Sequence, residues 1–309
     1  MTKHGGNVFP GQAALNPTLV STAGISTARI VAIGRLFFAL GIAGIGFEHF
    51  FFGQFIPVVI PLWPGWIPGH AFWVYCVGAL LLACAGAVLA GIQARVAAFV
   101  LGCLFLLSVL LLHVPARFLA GSFSLGAWTD AFKALTLSGG AFVVAGTLPK
   151  GDAGSSFNKV LDGLTMFGMY PVSVTMIVFG IDHFLYMPFV VTIVPAWLPW
   201  RLFWAYLAGA ALIAGGLGMI VRVKARLAAA LLGSIIFLWV LVLHIPRAAA
   251  DLYGAVGNEL TSVFEALAFS GICFVLGQML PKNEWLLSLG KPVLVDGEQY
   301  LDKKHSLGD

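Results

Sequence analysis

Charge is what this chain has least of. Asp, Glu, Lys and Arg make up 10% of its 309 residues while hydrophobic residues make up 60%, a balance that leaves a soluble domain without a polar coat. The formal net charge of +4 fits contact with the lipid of a cytoplasmic leaflet and gives no reason to expect nucleic acid as a partner. Cysteine is scarce as well. Cys76, Cys84, Cys103 and Cys273 stand singly in apolar runs with no Cys-x-x-Cys pair, which leaves the dithiol relay of a membrane disulfide-forming enzyme without sequence support. They read as small packing residues, and only Cys76, near an outer span end, stays open to chemistry. A cleavable leader is not expected from residues 1–28, which are polar and Gly/Thr-rich with no short apolar core ahead of a cleavage site. Strict two-residue alternation is absent from the apolar runs, which favours helices over a membrane β-barrel.

What is present is length of apolar sequence. Runs able to cross a hydrocarbon core of about 30 Å occupy 29–52, 71–91, 95–114 and 128–148, then 166–187, 202–222, 226–245 and 260–280. They are rich in Gly and Ala, which suits closely packed helices. The expected fold is an all-α integral membrane protein of eight transmembrane helices.

Those eight spans form two copies of four. Gly-Phe-Glu-His-Phe (46–50), a Pro/Trp-rich stretch and Leu-Leu-His-Val-Pro (111–115) return as Gly-Ile-Asp-His-Phe (180–184), a second Pro/Trp-rich stretch and Val-Leu-His-Ile-Pro (242–246). The register holds throughout from Trp73, Gly78, Arg95 and His113 to Trp204, Gly209, Arg226 and His244. The organisation expected is a cytoplasmic N-terminal segment (1–28), membrane repeat 1 (29–148), a linker (149–165), membrane repeat 2 (166–280) and a tail (281–309). An even number of spans per copy makes the repeats parallel. Basic residues at Lys3, Arg29, Arg95, Lys150, Lys159, Arg222, Lys224 and Arg226 and in the tail put both termini in the cytoplasm. The setting expected is the inner membrane of a bacterial-type cell.

The candidate chemistry lies in one layer near the outer surface. Glu48 and His49 close the first span, and His113, two residues before Pro115, is read as the last turn of the third, because proline disfavours helix at the residue before it. Asp182, His183 and His244 repeat the set. Ionisable groups near hydrocarbon are costly unless paired or facing a polar cavity, so they suggest function; the plainer alternative is an acid–histidine pair that bonds only to itself. Neighbouring helical residues point about 100° apart, so a two-histidine, one-carboxylate iron triad requires a distorted helix end. A shared cavity faced by His49 and His113, or by His183 and His244, suits a quinone carbonyl, haem iron between two imidazoles, or zinc or copper. Glu48 and Asp182 would orient the histidines or take their protons.

On the fourth spans Lys133 and Glu265 correspond. Lys133 is expected to neutralise Glu48, whereas Asp182 and Glu265 would share two histidines. The second copy is then the one favoured if a single copy works. Arg117 and Arg247 are further candidate partners for Glu48 and Asp182. Pro61, Trp63, Pro64, Trp66 and Pro68, like Pro195, Trp197, Pro199 and Trp200, read as outer caps anchored at headgroup level.

Gly46 to His49, Tyr75 to Gly78 and Gly139-Gly140, with Gly180 to His183 and Tyr206 to Gly209, resemble the motifs of the DoxX-like family of small four-span membrane proteins. The resemblance covers about 29–148 and 166–280 and implies a tandem copy standing in for a dimer, with a link to quinone-coupled oxidation. Three functions follow as expectations. The first is a redox protein, possessing or serving a quinone-linked oxidoreductase activity, that holds quinone, haem or metal in the outer leaflet. The second is a small-solute transporter or channel, and the third a membrane-docking subunit for a soluble oxidoreductase.

Overall fold

The computed structural model describes residues 17–150 and 154–280. Among them there is no strand. The helices are α1 (Pro17–Phe52), α2 (His70–Ala90), α3 (Ala94–Leu119), α4 (Thr129–Gly146), α5 (Ser155–Leu185), α6 (Met187–Ile193), α7 (Arg201–Ile220), α8 (Ala225–Ala250) and α9 (Asn258–Met279). Seven of these are long and apolar enough to cross a membrane: Thr27–Phe52 of α1, α2, α3, Ser156–Leu185 of α5, α7, α8 and α9. The run expected at 128–148 is α4, whose Thr129, Asp130, Lys133, Thr136 and Ser138 lower its hydropathy. Residues 134 and 136–145 of α4 are all buried, so protein surrounds this helix and an apolar coat is not required of it.

Two boundaries differ from expectation. The linker read over 149–165 is shorter, because α5 begins at Ser155. The runs ending at 114 and 245 continue through Pro115 and Pro246 to Leu119 and Ala250. In both, one π-helical turn precedes the proline, Val109–His113 and Val240–His244, and the N–H groups of Val114 and Ile245 bond five residues back to Val109 and Val240. A proline ring crowds the carbonyl four residues before it. The wider turn relieves that crowding and lets the helix continue. His113 and His244 are thus held in mid-helix bulges instead of frayed ends. The tail expected at 281–309 and most of the N-terminal segment lie outside the described residues.

Packing closes the helices into two rings that share a wall. One ring runs α1, α2, α3, α4, α9 and back to α1; the other runs α5, α7, α8, α9, α4 and back to α5. The fourth long helix of each half therefore lies against the first long helix of the other half. Glycine makes this exchange possible. A Cβ on Gly34 or Gly271 would strike the other's carbonyl oxygen, and Gly139 and Gly168 stand in the same relation. The backbones of α1 and α9, and of α4 and α5, touch at these points.

Arginines tie the opposite end of the bundle. Helix C-termini leave carbonyls without intrahelical partners. Arg95 Nη1 donates to the carbonyls of Ala145 and Leu148 at 3.1 and 3.2 Å, closing α4. Its Nη2 lies 2.6 Å from Asp162 of α5. Arg226 does the same for α9, donating to the carbonyls of Gly277 and Gln278 at 3.0 and 3.3 Å. Ser138 and Ser270 lock α4 and α9 to their own third helices, each hydroxyl donating at 2.8 Å to the carbonyl of Gly102 or Gly233.

Candidate functional site

The same acid–histidine pair meets different surroundings in the two rings. In the first, Glu48, His49 and His113 are completely buried. His49 Nδ1 donates to the Ile45 carbonyl of its own helix at 2.8 Å, leaving Nε2 as the ring's remaining polar atom. The connection after α1 turns inward, burying Phe55, Ile56, Val58 and Val59. His113 Nε2 donates to the Val58 carbonyl at 3.2 Å, and the Ser108 hydroxyl bonds the Val59 carbonyl. Thr261 of α9 donates to Glu48 Oε1 at 3.0 Å. Glu48 Oε2, His49 Nε2 and His113 Nδ1 are buried without a protein partner.

In the second ring the corresponding region is hollow. A cavity of about 500 Å³ takes Asp182 and His183 from α5, His244 from α8, Lys133 and Thr129 from α4, and Glu265 from α9. Its walls are otherwise largely apolar, among them Met176, Phe179, Ala208, Leu212 and Phe269. His183 Nδ1 donates to the Phe179 carbonyl at 2.7 Å, the geometry of His49 repeated. Three lining side chains carry buried polar atoms without a partner: Asp182 Oδ1, Trp239 Nε1 and Glu265 Oε1. Such atoms are costly in an apolar wall unless something polar meets them.

The expected charge pairing is reassigned. Lys133 does not neutralise Glu48: its Nζ lies 2.9 Å from Glu265 Oε2 and 3.4 Å from Asp130 Oδ1. The cause is the exchange of fourth helices, which turns Lys133 into the second ring and leaves Thr261 beside Glu48. Glu265 is accordingly held by a cation instead of being a second free acid beside Asp182. Arg247 pairs with Glu259, Nε to Oε2 at 2.8 Å, and not with Asp182; Arg117 Nε is buried without a partner.

Metal chemistry loses ground on geometry. Among the described residues no three His, Cys, Asp or Glu side chains gather closely enough to hold an ion. Adjacent positions on α1 send Glu48 toward α9 while His49 bonds its own helix. All four cysteines are free, with Cys76 exposed.

The two Pro/Trp-rich connections contribute to packing as well as exposing aromatic rings. Trp66, Trp197 and Trp200 are exposed. Trp63, however, stacks on Phe55 at a ring distance of 4.9 Å, so it helps seat the inward-folded segment. Trp204 donates to the Pro199 carbonyl at 3.0 Å and joins the cavity wall.

Thr129, Thr261 and Trp239 were not among the candidates read from sequence. Threonine four residues before Lys133 and before Glu265 was a repeated signal that could have found the first two; nothing local marks Trp239.

The chain was compared with protein-family models, with curated proteins and with solved structures, and none of them matches it.

Proposed function

We propose that this chain is an eight-span membrane protein of two parallel, DoxX-like repeats that binds a quinone headgroup in the cavity of its second half, near the outer face of the membrane. The observation that carries the reading is the mixture of groups around one hollow: His183, His244 and Asp182 together in walls that are otherwise largely apolar. Volumes of 300–1,000 Å³ with a few convergent polar groups are typical of small-molecule sites. An apolar ring system with carbonyl or hydroxyl groups at its edge matches both features. The unpartnered Trp239 Nε1 offers a donor, and the unpartnered Asp182 Oδ1 offers an acceptor, or a donor when protonated.

A bound quinone supplies reversible two-electron, two-proton chemistry. The chain's own part is the proton half. With Nδ1 spent on the Phe179 carbonyl, His183 presents Nε2 for proton exchange, and Asp182 beside it on α5 can hold the proton transferred. His244, set by its π-helical turn on α8, is the second imidazole. Lys133 and Glu265 pair with each other and join the two helices of the wall between the rings.

A solute path has less support. The ionisable groups of the cavity lie in one layer, and Leu137, Ala141 and Ile272 on α4 and α9 are completely buried.

The test is quinone binding by the purified protein, read as quenching of Trp204 and Trp239 fluorescence by short-chain ubiquinone and menaquinone analogues. Saturable quenching is expected, weakened at least about tenfold by His244→Leu, the loss of one hydrogen bond to a buried polar group. Ala208→Phe, which fills the cavity, should abolish it. Quenching that is linear in analogue concentration, or equal in both variants, would remove the proposal.

A further inference from the structure

A second recess lies on the far side of the second half, between α7 and α8. It measures about 580 Å³ and is lined by small and aliphatic residues, including Ala211, Ala214, Gly218, Leu227 and Leu231, with one cation, Lys224, in its lining. Lys224 is exposed, as is Arg222 two residues before it in the same turn.

Comparison with the first half shows how the recess arises. In the unbroken register, Ala211 and Gly218 stand where α2 has Leu80 and Ala87, so these two positions of the second half are smaller. Lys224 stands where the first half has Gln93, and Arg222 where it has Gly91. The same turn is thus hollowed and made basic in one half only.

The backbone supplies an independent sign. Gly91 adopts φ 72° freely, but Arg222 in its place holds φ 57°, while Lys224 at φ 47° repeats Gln93 of the first half at φ 48°. Non-glycine residues in the left-handed region carry a conformational cost. A glycine at 222 would relieve it, and the chain places a guanidinium there instead. The first turn of α8 also lacks a side-chain cap, so its free N–H groups add to the positive end of the recess.

We infer that this recess holds one anionic glycerophospholipid, an acyl chain lying along Ala211, Gly218 and Leu231 and the phosphate meeting Lys224 and Arg222. Basic pockets between membrane helices favour anionic lipid by charge, each cation near the headgroup contributing a factor of about five. Shape accounts for the tail: a gap between helices that no side chain fills is taken by the hydrocarbon beside it. The site is separate from the cavity of the second ring and does not depend on what that cavity binds.

Native mass spectrometry of the full chain, titrated with phosphatidylglycerol and with phosphatidylcholine, tests the assignment. Wild-type protein should retain one phosphatidylglycerol with clear preference. Lys224→Gln should cut that preference about fivefold, and Arg222→Gly with Lys224→Gln more than tenfold. Both changes copy residues of the first half, so the hairpin is preserved. Ala211→Leu should lower occupancy by both lipids while leaving the preference intact. Equal retention of the two lipids by wild type, or a preference unchanged in the double variant, would overturn the inference.

Discussion

His49 and His183 show how little of a side chain's role is decided by its identity. Each closes a Gly-x-x-His run and each spends Nδ1 on the carbonyl four residues back. The glycines beside them are structural: a Cβ on Gly78 or Gly209 would press on the Cβ of His49 or His183. The repeated motif was readable in sequence, and its reason is this close crossing of α1 with α2 and of α5 with α7. What the motif could not disclose is that one histidine would be completely buried beside Phe55 and the other would line a cavity. That difference comes from the connections, whose Pro/Trp composition is alike while their packing is not. Buried polar groups yield three predictions at this scale. Thr261→Val removes the donor to Glu48 and should lower stability by about 1–3 kcal/mol, seen as a lower melting temperature in detergent. Glu48→Leu should cost less, since no buried acceptor remains. Lys133→Met strands Glu265 in the wall and should destabilise by about 3–5 kcal/mol, whereas Lys133→Met with Glu265→Met should recover most of the loss. A double variant no more stable than the single one would mean that the pair is not the link drawn here.

At the scale of the element, the long apolar helices were legible because lipid demands length and hydrophobicity, and both are linear properties of sequence. The prolines were misleading for a physical reason. Rules for Pro115 and Pro246 predict a stop, yet a single wider turn lets α3 and α8 continue, and nothing local in Val-Leu-Leu-Leu-His announces it. That turn holds His113 and His244 in fixed positions. Replacing Pro246 with Ala removes the crowding that favours the bulge, so the helix can rewind and rotate His244. We expect quinone analogue binding to weaken several-fold in Pro246→Ala with little change in melting temperature; an unchanged affinity would show that the bulge does not set the site.

For the whole molecule, the decisive feature is the exchange of α4 and α9 between halves, which no span-by-span reading contains. Four-span repeats suggest two self-contained bundles joined by a linker. The structure instead builds each ring from three helices of one half, its own fourth helix, and the fourth helix of the other. Glycine contacts place α9 on α1 and α4 on α5, and the Lys133–Glu265 pair crosses the shared wall. Covalent continuity between the halves is then less important than their mutual burial. Expressed apart, residues 1–150 would expose the faces of α1 and α4 that the second half covers. Co-expressed with residues 154–309, they should reassemble into a complex that co-purifies and binds the quinone analogue within about twofold of the intact chain. Gly271→Val would force α9 away from α1, an overpacking cost of about 1–3 kcal/mol, and should break the split complex while the continuous chain still assembles. Two fragments that fold separately and never meet would instead describe independent bundles, and the shared wall would not be the element that holds the protein together.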